Sequence, residues 1–215
     1  LFGQLIKFDT ATTRTDSNDA TITDTKQTKY EYDLSGRVVK TTVDGQEANG
    51  GAIKPYNSTQ EILSWDIFGR ASRTRNISKL DGLTTEKISL QDIKYDDKGR
   101  VISSRDLVHR TGKEGEKVLD QYTEESMDVS EFDSWGRATK YKQTLIDGGL
   151  RTQSTINLTY DVDGMVTSQT TNVVETSVNP SVNHHVERTI TQTGMKYDPL
   201  GNLVGYTKEV KEGDL

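Results

Sequence analysis

The hexamer aromatic-Asp-x-x-Gly-Arg recurs along this chain, and a feature repeated at such intervals restricts it to folds that stack one supersecondary unit. Four full copies are Tyr32-Asp33-Leu34-Ser35-Gly36-Arg37, Trp65-Asp66-Ile67-Phe68-Gly69-Arg70, Tyr95-Asp96-Asp97-Lys98-Gly99-Arg100 and Phe132-Asp133-Ser134-Trp135-Gly136-Arg137. Two more, Tyr160-Asp161-Val162-Asp163-Gly164-Met165 and Tyr197-Asp198-Pro199-Leu200-Gly201-Asn202, lack the arginine. Leu1-Phe2-Gly3-Gln4-Leu5-Ile6 reads as the second half of a seventh copy. From Gly3 to Gly201 the motif glycines are spaced by 33, 33, 30, 37, 28 and 37 residues.

The residue types explain the motif. Glycine takes a positive φ without a Cβ penalty, as a type I turn closing into a glycine bulge requires. Aspartate three residues earlier can accept hydrogen bonds from the amides of its own turn. The two positions between them vary freely, as at a turn tip. Two residues after each glycine stands an apolar residue (Leu5, Val38, Ala71, Val101, Ala138, Val166, Leu203), and four before it only aromatics. Six before it stand Tyr30, Leu63, Ile93, Ser130, Leu158 and Met195. Period-two alternation is the mark of strands with one buried face. Each copy is therefore a tight hairpin, with an apolar band close to its turn edge.

The far ends carry irregular turn signals: Asp44-Gly45 through Gly50-Gly51, Asp81-Gly82, Thr111-Gly112 through Gly115, Asp147-Gly148-Gly149, and the stretch from Asn179-Pro180 to His185. The expected fold is all-β, a repetitive antiparallel meander of about 13 strands forming a curled or spiralling sheet. Its tight Asp-x-x-Gly turns lie on one edge. Residues 1–215 form a single array, read as a fragment of a longer repeat protein whose first strand has lost a partner.

Composition narrows the function. Apolar residues make up 31% of the 215, and threonine appears 29 times against three prolines, a balance that favours strands around a thin core. The net charge of -6 argues against nucleic acid as a partner, and no apolar run approaches the length of a membrane span. Cysteine is absent, which excludes disulfides and thiolate chemistry. No nucleophile elbow or phosphate loop occurs. No catalytic residue, metal ligand or cofactor is assigned, and the chain is read as non-enzymatic.

The motif copies resemble the YD repeats of the RHS (rearrangement hotspot) family, which includes bacterial polymorphic toxins, toxin-complex shell proteins and the animal teneurins. The resemblance runs through six copies and is specific at the motif, although the units here are longer than typical YD repeats. It implies a spiralling sheet that can wrap around cargo, and a bacterial protein that is secreted or on the cell surface. The family's self-cleaving aspartyl sites carry Asp-Pro motifs. Asp198-Pro199 echoes one half, but Asp198 stands in register with the ordinary repeat aspartates.

Three groups of residues follow as candidates. Asp33, Gly36, Asp66, Gly69, Asp96, Gly99, Asp133, Gly136, Asp161, Gly164, Asp198 and Gly201 are structural turn residues. Tyr32, Trp65, Tyr95, Phe132, Tyr160 and Tyr197 form an aromatic spine, a packing seam or alternatively a platform for carbohydrate or a protein partner. Arg37, Arg70, Arg100 and Arg137 should project opposite the apolar position that follows them. They either pair with the aspartates of neighbouring repeats in an Asp–Arg ladder or serve local turn geometry. Met165 and Asn202 would end such a ladder. The expected partners are neighbouring repeats, an enclosed cargo or a surface glycan. His109, His184 and His185 lack a spaced third metal ligand, and Asp161-Val162-Asp163-Gly164 resembles the opening of a calcium loop without its distal glutamate. Arg70, Arg73 and Arg75 read as a wet strand face.

Overall fold

A computed structural model describes residues 7–15, 21–49, 52–114, 117–199 and 201–213. Among these the structure is all-β, without a helix. The strands are β1 (Lys7–Thr15), β2 (Thr21–Tyr32), β3 (Val38–Asn49), β4 (Ala52–Trp65), β5 (Ala71–Leu80), β6 (Leu83–Ser89) and β7 (Lys94–Tyr95). They continue as β8 (Val101–Glu114), β9 (Lys117–Phe132), β10 (Ala138–Asp147), β11 (Leu150–Tyr160), β12 (Val166–Ser177), β13 (His185–Tyr197) and β14 (Leu203–Glu212). They pair antiparallel in chain order as one meander sheet, with the two-residue β7 against β8. The partial motif copy at Leu1–Ile6 lies outside the described residues.

The chain gathers into two compact units, Leu1–Asp92 with Asp106–Tyr122, and Ile93–Arg105 with Thr123–Leu215. In the first unit, β5 and β6 join through Asp81 (φ 54°) and Gly82 (φ 78°), a two-residue turn whose paired positive φ values match the strand twist. In the second, Gly148 (φ 55°) and Gly149 (φ 83°) join β10 to β11 in the same way.

The described residues form fourteen strands, close to the about 13 expected, the short extra one arising because β6 stops at Ser89 and the chain resumes pairing only at Lys94. Ser89, 5% exposed, explains the stop. Its Oγ accepts the amide of Thr74 at 3.1 Å, taking a position that a main-chain carbonyl would hold in a continued ladder. Arg73 Nη2 then donates to the carbonyl of Leu90 at 2.7 Å.

Two of the outer turn stretches begin inside strands, while their far ends, Gly50-Gly51 and Gly115, lie outside the described residues. Asp44 pairs with Asn57 and Gly45 with Tyr56, well inside the β3–β4 ladder. The Tyr56 ring lies across the bare Gly45 backbone, where an added Cβ would fall 2.4 Å from it. An aromatic ring covering a cross-strand glycine offsets the packing that glycine lacks. Gly112 lies within β8, where a Cβ would come 2.3 Å from the carbonyl oxygen of Gly82. Close backbone approach, not a turn, is what that glycine serves.

Burial also sits elsewhere than the alternation implied. Among the described residues the buried apolar side chains are Val108, Ile156 and Val173, all in mid-strand. Apolar residues near the tight turns are half-buried, with Leu63 at 48% and Leu203 at 45% more exposed still. A residue at a strand end has same-face neighbours on only one side along the strand, whereas one in mid-strand is flanked on both.

Candidate functional site

The six motif turns share one hydrogen-bond pattern. Each glycine N–H donates to the carbonyl of its motif aspartate at 3.0–3.2 Å, and each aspartate N–H donates to the carbonyl of the residue after the glycine at 2.8–2.9 Å. Gly36, Gly69, Gly99, Gly136, Gly164 and Gly201 all take φ between 76° and 90°, the left-handed region in which a side chain is strained. On the strand that leaves each turn, the residue three after the glycine has no cross-strand partner across that hairpin. These residues are Val39, Ser72, Ile102, Thr139, Thr167 and Val204. A bulge at one place in every hairpin bends and twists each unit in the same sense.

The aspartate side chain completes the turn. Asp133 Oδ1 accepts the amides of Trp135 and Arg137, both at 2.9 Å, and Oδ2 accepts Arg137 Nε at 2.6 Å. Asp33, Asp66 and Asp96 do the same with Arg37, Arg70 and Arg100. In the four full copies the aspartate and arginine therefore pair inside their own motif, the local turn role that was the alternative to a ladder. Five consecutive residues bent by one glycine bring the two side chains together, and the carboxylate is spent before a neighbour is reached. Asp198 accepts Asn202 Nδ2 at 2.9 Å, so asparagine substitutes for the guanidinium there. Asp161 Oδ1 takes the amides of Asp163 and Met165, which makes the calcium-like stretch an ordinary motif turn.

For Arg37, Arg100 and Arg137, what the arginine reaches in the next motif is the ring, while Arg70 Cζ lies 5.0 Å from the ring centroid of Phe68 in its own turn. The strand leaving one turn pairs with the strand entering the next, so the residue after one glycine stands beside the following aromatic. Arg37 Cζ lies 4.5 Å from the Trp65 ring centroid, Arg100 3.8 Å from that of Phe132 and Arg137 4.5 Å from that of Tyr160. A guanidinium over an aromatic face is attracted by the ring quadrupole, by about 0.5–1 kcal/mol at exposed sites and more when desolvated. The tyrosines add a return contact. Tyr160 Oη donates to the carbonyl of Ala138, and Tyr197 Oη to that of Val166, both at 2.9 Å. Each acceptor is the residue two after the previous motif glycine. Arg137 Nη1 also donates to the Asp161 carbonyl at 3.2 Å, and Met165 Cε lies beside Gly201 where Arg137 Nη1 lies beside Gly164. All six aromatics are half-buried.

The turn tips present apolar side chains to solvent: Leu34, Ile67, Phe68, Trp135 and Val162, each at least 74% exposed. His184 Nε2 and Glu175 Oε1 stand 2.7 Å apart, and His109 stacks on Tyr122 with ring centroids 3.9 Å apart. No group of three or more metal-ligating side chains occurs among the described residues. No family model, curated protein or solved structure matches this chain.

The carboxylates make the seam acid-sensitive. Partial burial pushes the Asp66, Asp96 and Asp133 carboxyls up, but the main-chain amide and guanidinium of each motif arginine outweigh it and hold them below the ordinary aspartate range. At Asp33 the Arg37 amide is the dominant influence, with the same net direction. An aspartate that binds protons more weakly when folded contributes its full stabilisation above the ordinary aspartate pKa of about 3.9, and loses it as pH falls further through the lowered folded value. Unfolding midpoints of the wild type and Asp133→Asn should therefore differ near neutrality and converge in acid. Parallel curves would show that this carboxylate does not carry the dependence.

Proposed function

We propose that this chain is a non-enzymatic structural module of the YD-repeat kind, building an extended or enclosing β-sheet wall in a secreted or surface-exposed bacterial protein. The observation that carries the reading is the reciprocal link between consecutive motifs. Arg37, Arg100 and Arg137 each cover the next ring, and the Tyr160 and Tyr197 hydroxyls return to the previous strand, so that both halves of the link meet between Arg137 and Tyr160. Such a link can be repeated wherever a motif keeps its arginine, since that copy leaves behind the half that the next requires. Stability then accumulates as unit plus neighbour terms. Residues that are chemically potent elsewhere are occupied here in holding turns, with the aspartates engaged by amides and guanidinium groups.

A length series tests it. Inserting one further copy of the stretch from residue 137 to residue 164 should raise the unfolding free energy by a constant increment. It should also lengthen the particle by two strand spacings, about 10 Å, in solution scattering. An inserted unit that leaves both unchanged, or is excluded as an unfolded loop, would refute the wall.

A further inference from the structure

β14 pairs with β13 on one side, and among the described residues no strand lies on its other side. Gly213 N–H donates to the Glu187 carbonyl at 2.8 Å. Hydrogen-bonded pairs fall on every second residue of an antiparallel ladder. Lys211, Glu209 and Thr207 therefore bond to β13, while Glu212, Val210 and Lys208 turn their N–H and C=O groups away from it. Those groups form the open half of a ladder that a further strand completes.

The side chains narrow what that strand is. The stretch Lys208-Glu209-Val210-Lys211-Glu212 is exposed throughout, and its charges invert about Val210. Two copies of β14 set antiparallel about a twofold axis at Val210 place Lys208 opposite Glu212 and Glu209 opposite Lys211, twice over. An axis on any of the four charged residues sets that residue against its own copy, and like charges directly opposite are destabilising. Charge on an edge strand commonly keeps other strands away; here it excludes the other registers and favours one. Within one copy Lys211 Nζ already lies 3.4 Å from Glu209 Oε1, so the second copy extends that pair into a square of four alternating charges. The same axis also sets the outward main-chain groups of Lys208, Val210 and Glu212 against each other, each residue donating and accepting once.

Val210 ends an apolar row as well. Val129, Tyr141, Ile156, Thr171, Ile190 and Val210 are successive registered partners from β9 to β14 and share one face. The row is buried at Ile156 and Thr171 but reaches solvent at Val210, which is 48% exposed. Across the axis it would run on through the Val210 of the second copy. We propose that β14 is a pairing edge for a second copy of this chain, joined antiparallel about Val210 so that the two sheets continue as one. Such an interface is isologous, the same patch serving both copies. One strand pair buries less than the roughly 1,200 Å² of a lasting interface, so the dimer should be reversible and concentration-dependent.

Sedimentation of the whole chain at rising concentration should show a monomer–dimer equilibrium that weakens as salt is added. Lys208→Glu with Lys211→Glu, or Glu209→Lys with Glu212→Lys, leaves a single sign on the edge, and each double variant should dimerise at least about tenfold more weakly. Mixed in equal amounts, the two variants regain an opposite charge at every pair and should form a heterodimer. All four residues are exposed, so the melting temperature of dilute protein should not move. Because the chain has no cysteine, Val210→Cys introduces a single thiol, which should cross-link two copies on mild oxidation. Thr207→Cys should not, since its two copies would stand about 20 Å apart across the axis. A chain that stays monomeric at millimolar concentration would overturn the proposal. So would a mixture that associates no better than either variant alone, or cross-linking of Thr207→Cys that matches Val210→Cys.

Discussion

Tyr160→Ala is expected to lower the unfolding free energy by about 3 kcal/mol, with a fall in the urea midpoint at unchanged slope. Three losses combine. Half-burial of the ring is worth about 1 kcal/mol, half the usual gain for a fully buried large side chain. The Arg137 guanidinium loses the ring it covers, about 0.5–1 kcal/mol. The hydroxyl's bond to the Ala138 carbonyl goes as well, about 1 kcal/mol. Tyr160→Phe removes only that last contribution, so it should cost about a third as much. Equal midpoints for the alanine and phenylalanine variants would mean that the ring is a bystander and the seam holds nothing together.

Gly136→Val should cost about 2–3 kcal/mol, because Gly136 sits at φ 82° and a β-branched residue is strained there whatever space surrounds it. Space is in fact present, since a Cβ would meet nothing closer than Arg100 Cδ at 3.6 Å. Gly136→Asn should cost clearly less, as asparagine tolerates left-handed backbone. Gly45→Val is the internal contrast. The same substitution in an extended strand should leave stability nearly unchanged, with the Tyr56 ring swinging aside. If the melting temperatures of Gly136→Val and Gly45→Val fell together, backbone conformation would not be what the motif glycines are for.

Turn chemistry was the most legible part of the chain, because it is local. Asp133 and Gly136 lie three residues apart, and the bonds they make follow from that separation and from glycine's missing Cβ. The role of Arg137 was half legible. Its proximity to Asp133 is local, so sequence offered both a ladder between repeats and a role in the turn, and the contact inside the turn is the one the structure shows. The ring above Arg137 could have been foreseen from one fact: in a meander, the residue after one glycine and the aromatic before the next stand on adjacent strands.

The repeated bulge left no mark that could be read. Val39, Ser72, Ile102, Thr139, Thr167 and Val204 share no residue type, since a bulged position is defined by a partner it lacks. Asp44-Gly45 misled for a related reason. Asp-Gly signals a turn from local sequence, whereas the ring that covers Gly45 belongs to Tyr56 on the next strand, eleven residues away in sequence.

From residue order alone came the all-β class, the antiparallel meander and the six tight turns, all consequences of period-two alternation and short-range bonding. Tertiary structure alone decided where strands break, which glycines sit under rings, and whether an arginine spends its charge on its own turn or on the next repeat. Those outcomes depend on which strands lie side by side and in what register, and register is set by the sum of many weak cross-strand contacts that no single residue announces.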